Sequence, residues 1–147
     1  MNKYLKSLVL AVGLLAAVPA MADMTPEALA GAKTVSADEA KKLIDSGVVV
    51  FDTRVANEYA ESHIKGARNV PYKEKSAKKV GFDPKEDSFD LAKLPADKNA
   101  PLVVYCNAGE CWKSYKAAKV AVDSGYKKVY WLRGGLPEWK GRNLPIE

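Results

Sequence analysis

The chain's two cysteines, Cys106 and Cys111, lie in one short stretch, "VVYCNAGECWKS", directly after an apolar run. A structural disulfide, a metal site, a redox pair and a nucleophile compete to explain that placement. A disulfide closing so short a loop gains little chain entropy and is a poor staple for a fold. A zinc site needs more ligands than two cysteines and the lone His63. A thioredoxin-like pair has the closer spacing C-x-x-C. A phosphatase loop needs arginine as the sixth residue after its cysteine, and Trp112 stands there.

A nucleophile suits the surroundings. "PLVVYC" (Pro101–Cys106) reads as a buried strand, and "WKSYKAAKVAVDSG" as a helix with Tyr115, Ala118 and Val122 on one face and Gly125 at its end. A loop running into a helix turns successive backbone N–H groups inward, and the helix start adds roughly half a positive charge. Such a cradle binds an anion or holds a thiolate, pulling a cysteine's pKa below its free value. Cys106 is therefore expected to be a nucleophile near neutral pH.

The elements around the loop alternate. "SADEAKKLIDSG" predicts a helix capped by Ser36 and Glu39, ended by Gly47, with Ala40, Leu43 and Ile44 on its apolar face. "VVVFD" (Val48–Asp52) is an apolar run of the kind found in strands buried on both faces. A short helix over Ala56–Glu61, a brief strand near Arg68–Val70 and a strand in "KKVYWL" follow, then a Gly-rich turn, a short helix and a tail. This alternation predicts an α/β domain with a mainly parallel sheet. Ligands then sit beyond the carboxyl ends of the strands, where both Cys106 and the "DTR" of Asp52–Arg54 fall. Tyr72–Ala100 is polar, Lys-rich and punctuated by Gly81, Pro84 and Pro95, and is expected to be surface rather than a lid, with at most a short helix near Ser88–Lys93. Trp112, Trp131 and Trp139 read first as packing residues.

Lys3 and Lys6 precede an apolar run, Leu8–Val18, and then Pro19 and Ala20-Met21-Ala22. That pattern predicts a signal peptide over residues 1–22, cleaved after Ala22, and a periplasmic protein with no membrane segment thereafter. Residues 23–34 read as a lead-in with a turn of helix after Pro26, and 35–147 as one domain. The net charge of +5 includes Lys3 and Lys6, and the remaining basic residues are interleaved with acids, which argues against nucleic acid.

Four segments together resemble a single-domain rhodanese, a sulfurtransferase of the thiosulfate sulfurtransferase type. They are "SADEAKKLID", "VVVFDTRVANEYAESHIKGARNVP", "LVVYCNAGECWKS" and "VYWLRGGLPEWKGRNLP", spanning about Val35 to Pro145. The resemblance implies a rhodanese-like fold, a five-stranded parallel sheet flanked by helices on both faces. It implies that Cys106 accepts a sulfane sulfur as a persulfide in a double displacement. Asn107, Ala108, Gly109, Glu110 and Cys111 match the cradle, with Trp112 adjoining it and Gly109 letting it curl. Asp52 and Arg54 match a D-x-R that braces the loop, Lys113 supports it, His63 is structural, and Gly134 and Gly135 form the turn before the last helix. The implied partners are a small sulfur donor (thiosulfate, polysulfide or a persulfide) and a thiol or cyanide acceptor, with a periplasmic protein as a further candidate. No metal or organic cofactor is implied.

Two positions depart from the family. Glu110 places a carboxylate where thiosulfate-using relatives carry Arg or Lys, which predicts weak thiosulfate binding. Cys111 is open to three readings: a resolving thiol that attacks the Cys106 persulfide, half of a protective disulfide, or a small packing residue. Two other functions remain beside sulfur transfer. One is a non-catalytic sulfur carrier; the other is a thiol-disulfide redox module using both cysteines.

Overall fold

The computed structural model describes residues 23–147 and the isolated Gly13; the rest of the expected signal peptide, residues 1–22, lies outside the described residues. Among the described residues, five strands alternate with four helices: β1 (Ala32–Thr34), α1 (Ala37–Asp45), β2 (Val49–Asp52), α2 (Ala56–Glu61), β3 (Arg68–Asn69), β4 (Leu102–Tyr105), α3 (Trp112–Asp123), β5 (Val129–Leu132) and α4 (Gly135–Gly141). All strands pair in parallel, in the order β1-β5-β4-β2-β3. The expected rhodanese-like α/β architecture is therefore the one observed.

Central β4 is buried along its whole length, as its unbroken apolar run requires. Its side chains alternate between two cores. Leu102 and Val104 join Phe51, Tyr115, Ala118 and Trp131 on the face covered by α3. Val103 and Tyr105 join Val50, Ala40, Leu132 and Trp139 on the face covered by α1 and α4. The capping box predicted at Ser36 and Glu39 is present in both directions, worth about 1 kcal/mol, and Gly47 ends α1 at φ +101°.

Two segments differ from the expectation. The lead-in forms no helix after Pro26; instead Ala32–Thr34 pairs with Val129–Trp131 as the sheet's edge. So short an edge strand carries too little periodicity to be read from sequence. The long 72–100 segment is more than surface. It contributes Phe82, Leu94, Phe89 and Leu91 to the core on the α3 face, where no second helix covers the sheet. Two 3-10 turns, Pro84–Glu86 and Leu91–Lys93, are its only helical pieces.

Candidate functional site

Cys106 follows β4 directly, and its side chain is fully buried. Its sulfur is bonded to that of Cys111, which caps the N-terminus of α3. Of the readings left open for the two cysteines, the structure holds the disulfide. Ser114, in the first turn of α3, meets the Cys106 sulfur twice: its backbone N lies 3.3 Å away and its Oγ 3.0 Å away. The indole Nε1–H of Trp131 donates to the same Oγ at 2.9 Å. An indole is only a donor, so it fills an acceptor position of Ser114 and leaves the hydroxyl proton for the sulfur. The Cys111 carbonyl oxygen, 3.4 Å from the sulfur, can accept an S–H proton once the bond is reduced. Ser114 went unremarked in the sequence; the only signal was its place one helical turn past Cys111.

The loop is held largely by its carbonyls. Leu136 N–H donates to Cys106 O at 3.1 Å, Cys111 N–H to Ala108 O at 2.9 Å, and Thr25 N–H and Oγ1–H to Gly109 O at 2.9 and 2.6 Å. Among the described residues, the N–H groups of Asn107, Ala108, Gly109 and Glu110 find no protein acceptor. A trans peptide points its C=O and N–H in opposite directions. Tying Gly109 O to Thr25 therefore turns the Glu110 N–H away from that strand of chain. The Asn107 side chain donates to Glu58 Oε1 of α2 at 3.0 Å.

Two glycines of the site have close neighbours. A Cβ at Gly135, where φ is +58°, would overlap the Cys106 and Asn107 carbonyl oxygens, so the "GG" turn sits directly on the loop. A Cβ at Gly109 would come within 2.8 Å of Met24 Cε and 3.0 Å of Arg133 Cζ. Both are ends of flexible side chains that could move aside, so Gly109 is crowded but not demanded by its neighbours. Arg133 is a cation that the loop's own sequence does not announce. Its Nε donates to Thr25 Oγ1 and Pro26 O, and its guanidinium also reaches Thr25 O at 2.7 Å. Its signal was its position, immediately before Gly134.

Asp52 and Arg54 are buried and paired at 2.7 Å. Arg54 also donates to Ser62 O at 2.7 Å, and Tyr105 OH donates to Asp52 Oδ2 at 2.8 Å while accepting from Ile64 N–H. Burial opposes the Arg54 charge, but hydrogen bonding and charge from Asp52 outweigh it and raise its pKa above the ordinary value. Burial first, and then Asp52, push the Tyr105 phenol up as well, so it stays a proton donor. This cluster locks the end of β2 to Tyr105, the residue before Cys106. Its brace is indirect, and Arg54 pairs with Asp52, while Glu58 holds Asn107.

The remaining predicted residues are distributed as follows. Glu110 is exposed at the mouth. Trp112 is buried, stacked edge-on against Tyr115 and donating to Asp23 O, so it packs under the loop and ties down the lead-in. Lys113 lines a neighbouring cavity of about 480 Å³ with Val55, Tyr72, Lys73 and Lys75. His63 stacks on Tyr59 with centroids 3.7 Å apart and binds Tyr59 O and Glu147, a structural setting. Among the described residues no group of three or more His, Cys, Asp or Glu side chains could hold a metal ion, and no helix is long and apolar enough to cross a membrane.

The geometry has counterparts in known proteins. Residues 36–142 match the model of the rhodanese-like domain. The thiosulfate sulfurtransferase GlpE of Pseudomonas fluorescens (strain SBW25) is 32% identical over 110 residues, covering 74% of this chain and 84% of that protein. The mitochondrial protein HIGH ARSENIC CONTENT 1 of Arabidopsis thaliana is 29% identical over 119 residues, covering 81% and 68%. The solution structure of the polysulfide-sulfur transferase homodimer from Wolinella succinogenes superposes with a TM-score of 0.58 at 24% identity, covering 80% of each chain, a likeness of fold. With the family model spanning most of its length and sulfurtransferases among its relatives, this chain belongs to the rhodanese-like domain family.

Proposed function

We propose that the protein is a sulfurtransferase that carries sulfane sulfur on Cys106. The observation that carries this reading is the loop's division of labour: the carbonyls of Cys106, Ala108 and Gly109 are engaged, while among the described residues the four successive N–H groups that follow the buried Cys106 find no protein acceptor. Unpaired amides around a sulfur are what a persulfide anion needs. In the reduced protein, the Cys106 thiolate attacks the outer sulfur of the donor. With thiosulfate, the S–S bond breaks toward sulfite, which leaves with the bonding pair, and Cys106 holds the persulfide. Cyanide or a thiolate then attacks the outer sulfur, leaving as thiocyanate or a new persulfide and returning the Cys106 thiolate. Both steps balance without any cofactor.

Exposed Glu110 weighs against the dianion thiosulfate as the natural donor and favours a donor of lower charge, such as a persulfide. Glu110→Arg is expected to lower the KM for thiosulfate roughly 3- to 10-fold; steady-state kinetics that show no change would remove electrostatics from the choice of donor. The chain is read as exported and periplasmic on its first 22 residues, a reading checked by N-terminal sequencing of protein recovered from that compartment.

The primary test is the intact mass of the reduced protein before and after thiosulfate or polysulfide. One added sulfur atom, absent in Cys106→Ser and removed by cyanide as thiocyanate, is the expected result. Stoichiometric loading with negligible turnover would instead favour a carrier. The disulfide favours one second reading, a thiol-disulfide module. Loss of two hydrogens with no sulfur gained under any donor would select it.

A further inference from the structure

The two sulfurs of the disulfide are not equivalent. Cys106 is fully buried, whereas Cys111 is partly exposed at the start of α3. Thiol-disulfide exchange proceeds by attack of a thiolate on one sulfur and departure of the other, so access and leaving-group stability fix its direction. Of the two residues, Cys111 is the one that reaches the surface. If it is attacked, negative charge develops on Cys106, where the Ser114 backbone N–H stands at 3.3 Å and its Oγ at 3.0 Å; that oxygen accepts from Trp131, which leaves its own proton free to turn to the thiolate. Charge developing on Cys111 would have the start of α3 beside it but no hydrogen bond of the kind Ser114 offers, since its side chain makes no capping bond to the first turn.

We propose that the disulfide is opened by an outside dithiol that attacks Cys111 and expels Cys106 as a thiolate held by Ser114. The reductant's thiolate forms a bond to the Cys111 sulfur as the Cys106–Cys111 bond breaks, and the electron pair stays on Cys106. The reductant's second thiol, giving up its proton to solvent, then attacks its partner sulfur and releases Cys111 as a thiolate. The reductant leaves as its own disulfide, and two electrons have passed to the protein. In the closed form the Cys111 sulfur occupies the bond that a sulfane sulfur would take on Cys106. Sulfur loading therefore waits on this reduction. That consequence rests on the sulfurtransferase reading; the direction of exchange does not.

The experiment uses the oxidised chain and no sulfur donor. Brief exposure to reduced glutathione, an acid quench and alkylation of free thiols are followed by peptide mass spectrometry. Glutathione on Cys111 with Cys106 alkylated is the expected result; glutathione on Cys106, or an air-oxidised protein whose thiols both remain free, overturns the proposal. Ser114→Ala is expected to slow reduction by dithiothreitol roughly tenfold and to make the disulfide harder to reduce at equilibrium, with Ser114→Thr restoring both. Equal rates in all three proteins would remove Ser114 from the step. Gating is read separately: the reduced protein loads sulfur and the oxidised one does not, and loading of both forms equally overturns the gate. If neither form loads sulfur while glutathione still lands on Cys111, the sulfurtransferase reading fails and the exchange stands.

Discussion

Two irregular segments meet helix α3, one running into its start and one packed against its side of the sheet, and they are held in opposite ways. The Cys106–Cys111 loop is short and fastened mainly from outside, through carbonyls bound by Thr25 and Leu136. The 72–100 segment is long and organised around charges of its own. Asp87 accepts from Lys75 N–H, Ser76 N–H, Ser76 Oγ–H and Tyr72 OH, all within 2.7 Å. Fully buried Lys116 of α3 reaches down to Ser76 O and Oγ. Glu74 Oε2 lies 2.8 Å from that ammonium, near enough to neutralise it although off the line of a hydrogen bond. A loop that must bind an anion keeps its N–H groups free and lets neighbours fix its carbonyls. A segment that only covers a core can spend its donors on its own carboxylates.

That contrast separates effects on stability from effects on chemistry. The largest expected effect is in the long segment. Lys116→Met leaves Glu74 facing the core without its cation and should cost roughly 3–5 kcal/mol. Sulfur loading per folded molecule should stay within about twofold. Urea titration combined with active-site titration checks both, and loss of loading without loss of stability would join the two regions into one functional unit.

Gly135→Ala tests the short loop from outside. The added Cβ would collide with the Cys106 and Asn107 carbonyls at a φ of +58°. Strain and displacement together should cost roughly 2–4 kcal/mol. Because the loop itself must shift, the loading rate should fall about 10- to 100-fold, which a stopped-flow comparison at a temperature where both proteins are folded would reveal.

Asp87→Asn returns to the long segment with a smaller effect and a pH signature. Burial works against the Asp87 charge, but the donors of Ser76, Tyr72 and Lys75 overcome it and hold its pKa at about 2. An unfolded chain titrates this carboxyl near 3.9. The stabilisation is therefore complete above about pH 4 and is lost as pH falls through about 2. The variant should be about 1–2 kcal/mol less stable at neutral pH, with the gap closing toward pH 2. A gap independent of pH would assign the effect to packing of the neighbouring Tyr72.

The contrast also marks what could be read from the chain. Val49–Asp52, Leu102–Tyr105 and Val129–Leu132 were legible because strands buried on both faces must be continuously apolar, and α1 because Ser36, Glu39 and Gly47 spell out its ends. Cys106 was legible because a lone thiol pair after a buried strand is an uncommon pattern. Its supports were not, because they come from distant residues with ordinary local settings. Thr25 lies 84 positions from Gly109, and the Arg133 guanidinium reaches back 108 positions to Thr25. Nothing local distinguishes a threonine that ties down the Cys106–Cys111 loop from one at a chain's surface. Lys116 is silent for the same reason, since nothing in a Lys-rich helix marks one lysine as buried until its partners Glu74 and Ser76 are brought against it.

Thr25→Val probes that hidden support and carries the smallest expected effect. The substitution keeps the backbone N–H bond to Gly109 O but removes the Oγ1–H bond at 2.6 Å and the acceptor for Arg133 Nε at 3.1 Å. Arg133 retains Pro26 O and Thr25 O, so the lead-in should stay in place. Two lost hydrogen bonds in a partly buried setting should cost about 0.5–1.5 kcal/mol. The change in chemistry is the sharper readout. With one anchor gone, the peptide between Gly109 and Glu110 can rotate, and its N–H no longer has a fixed direction. Loading of the reduced protein should slow severalfold while the KM for a neutral acceptor thiol is unchanged. If stability falls and loading does not, the lead-in is only a strap on the sheet's edge, and the loop's amides are set by Leu136 and the Gly134–Gly135 turn alone.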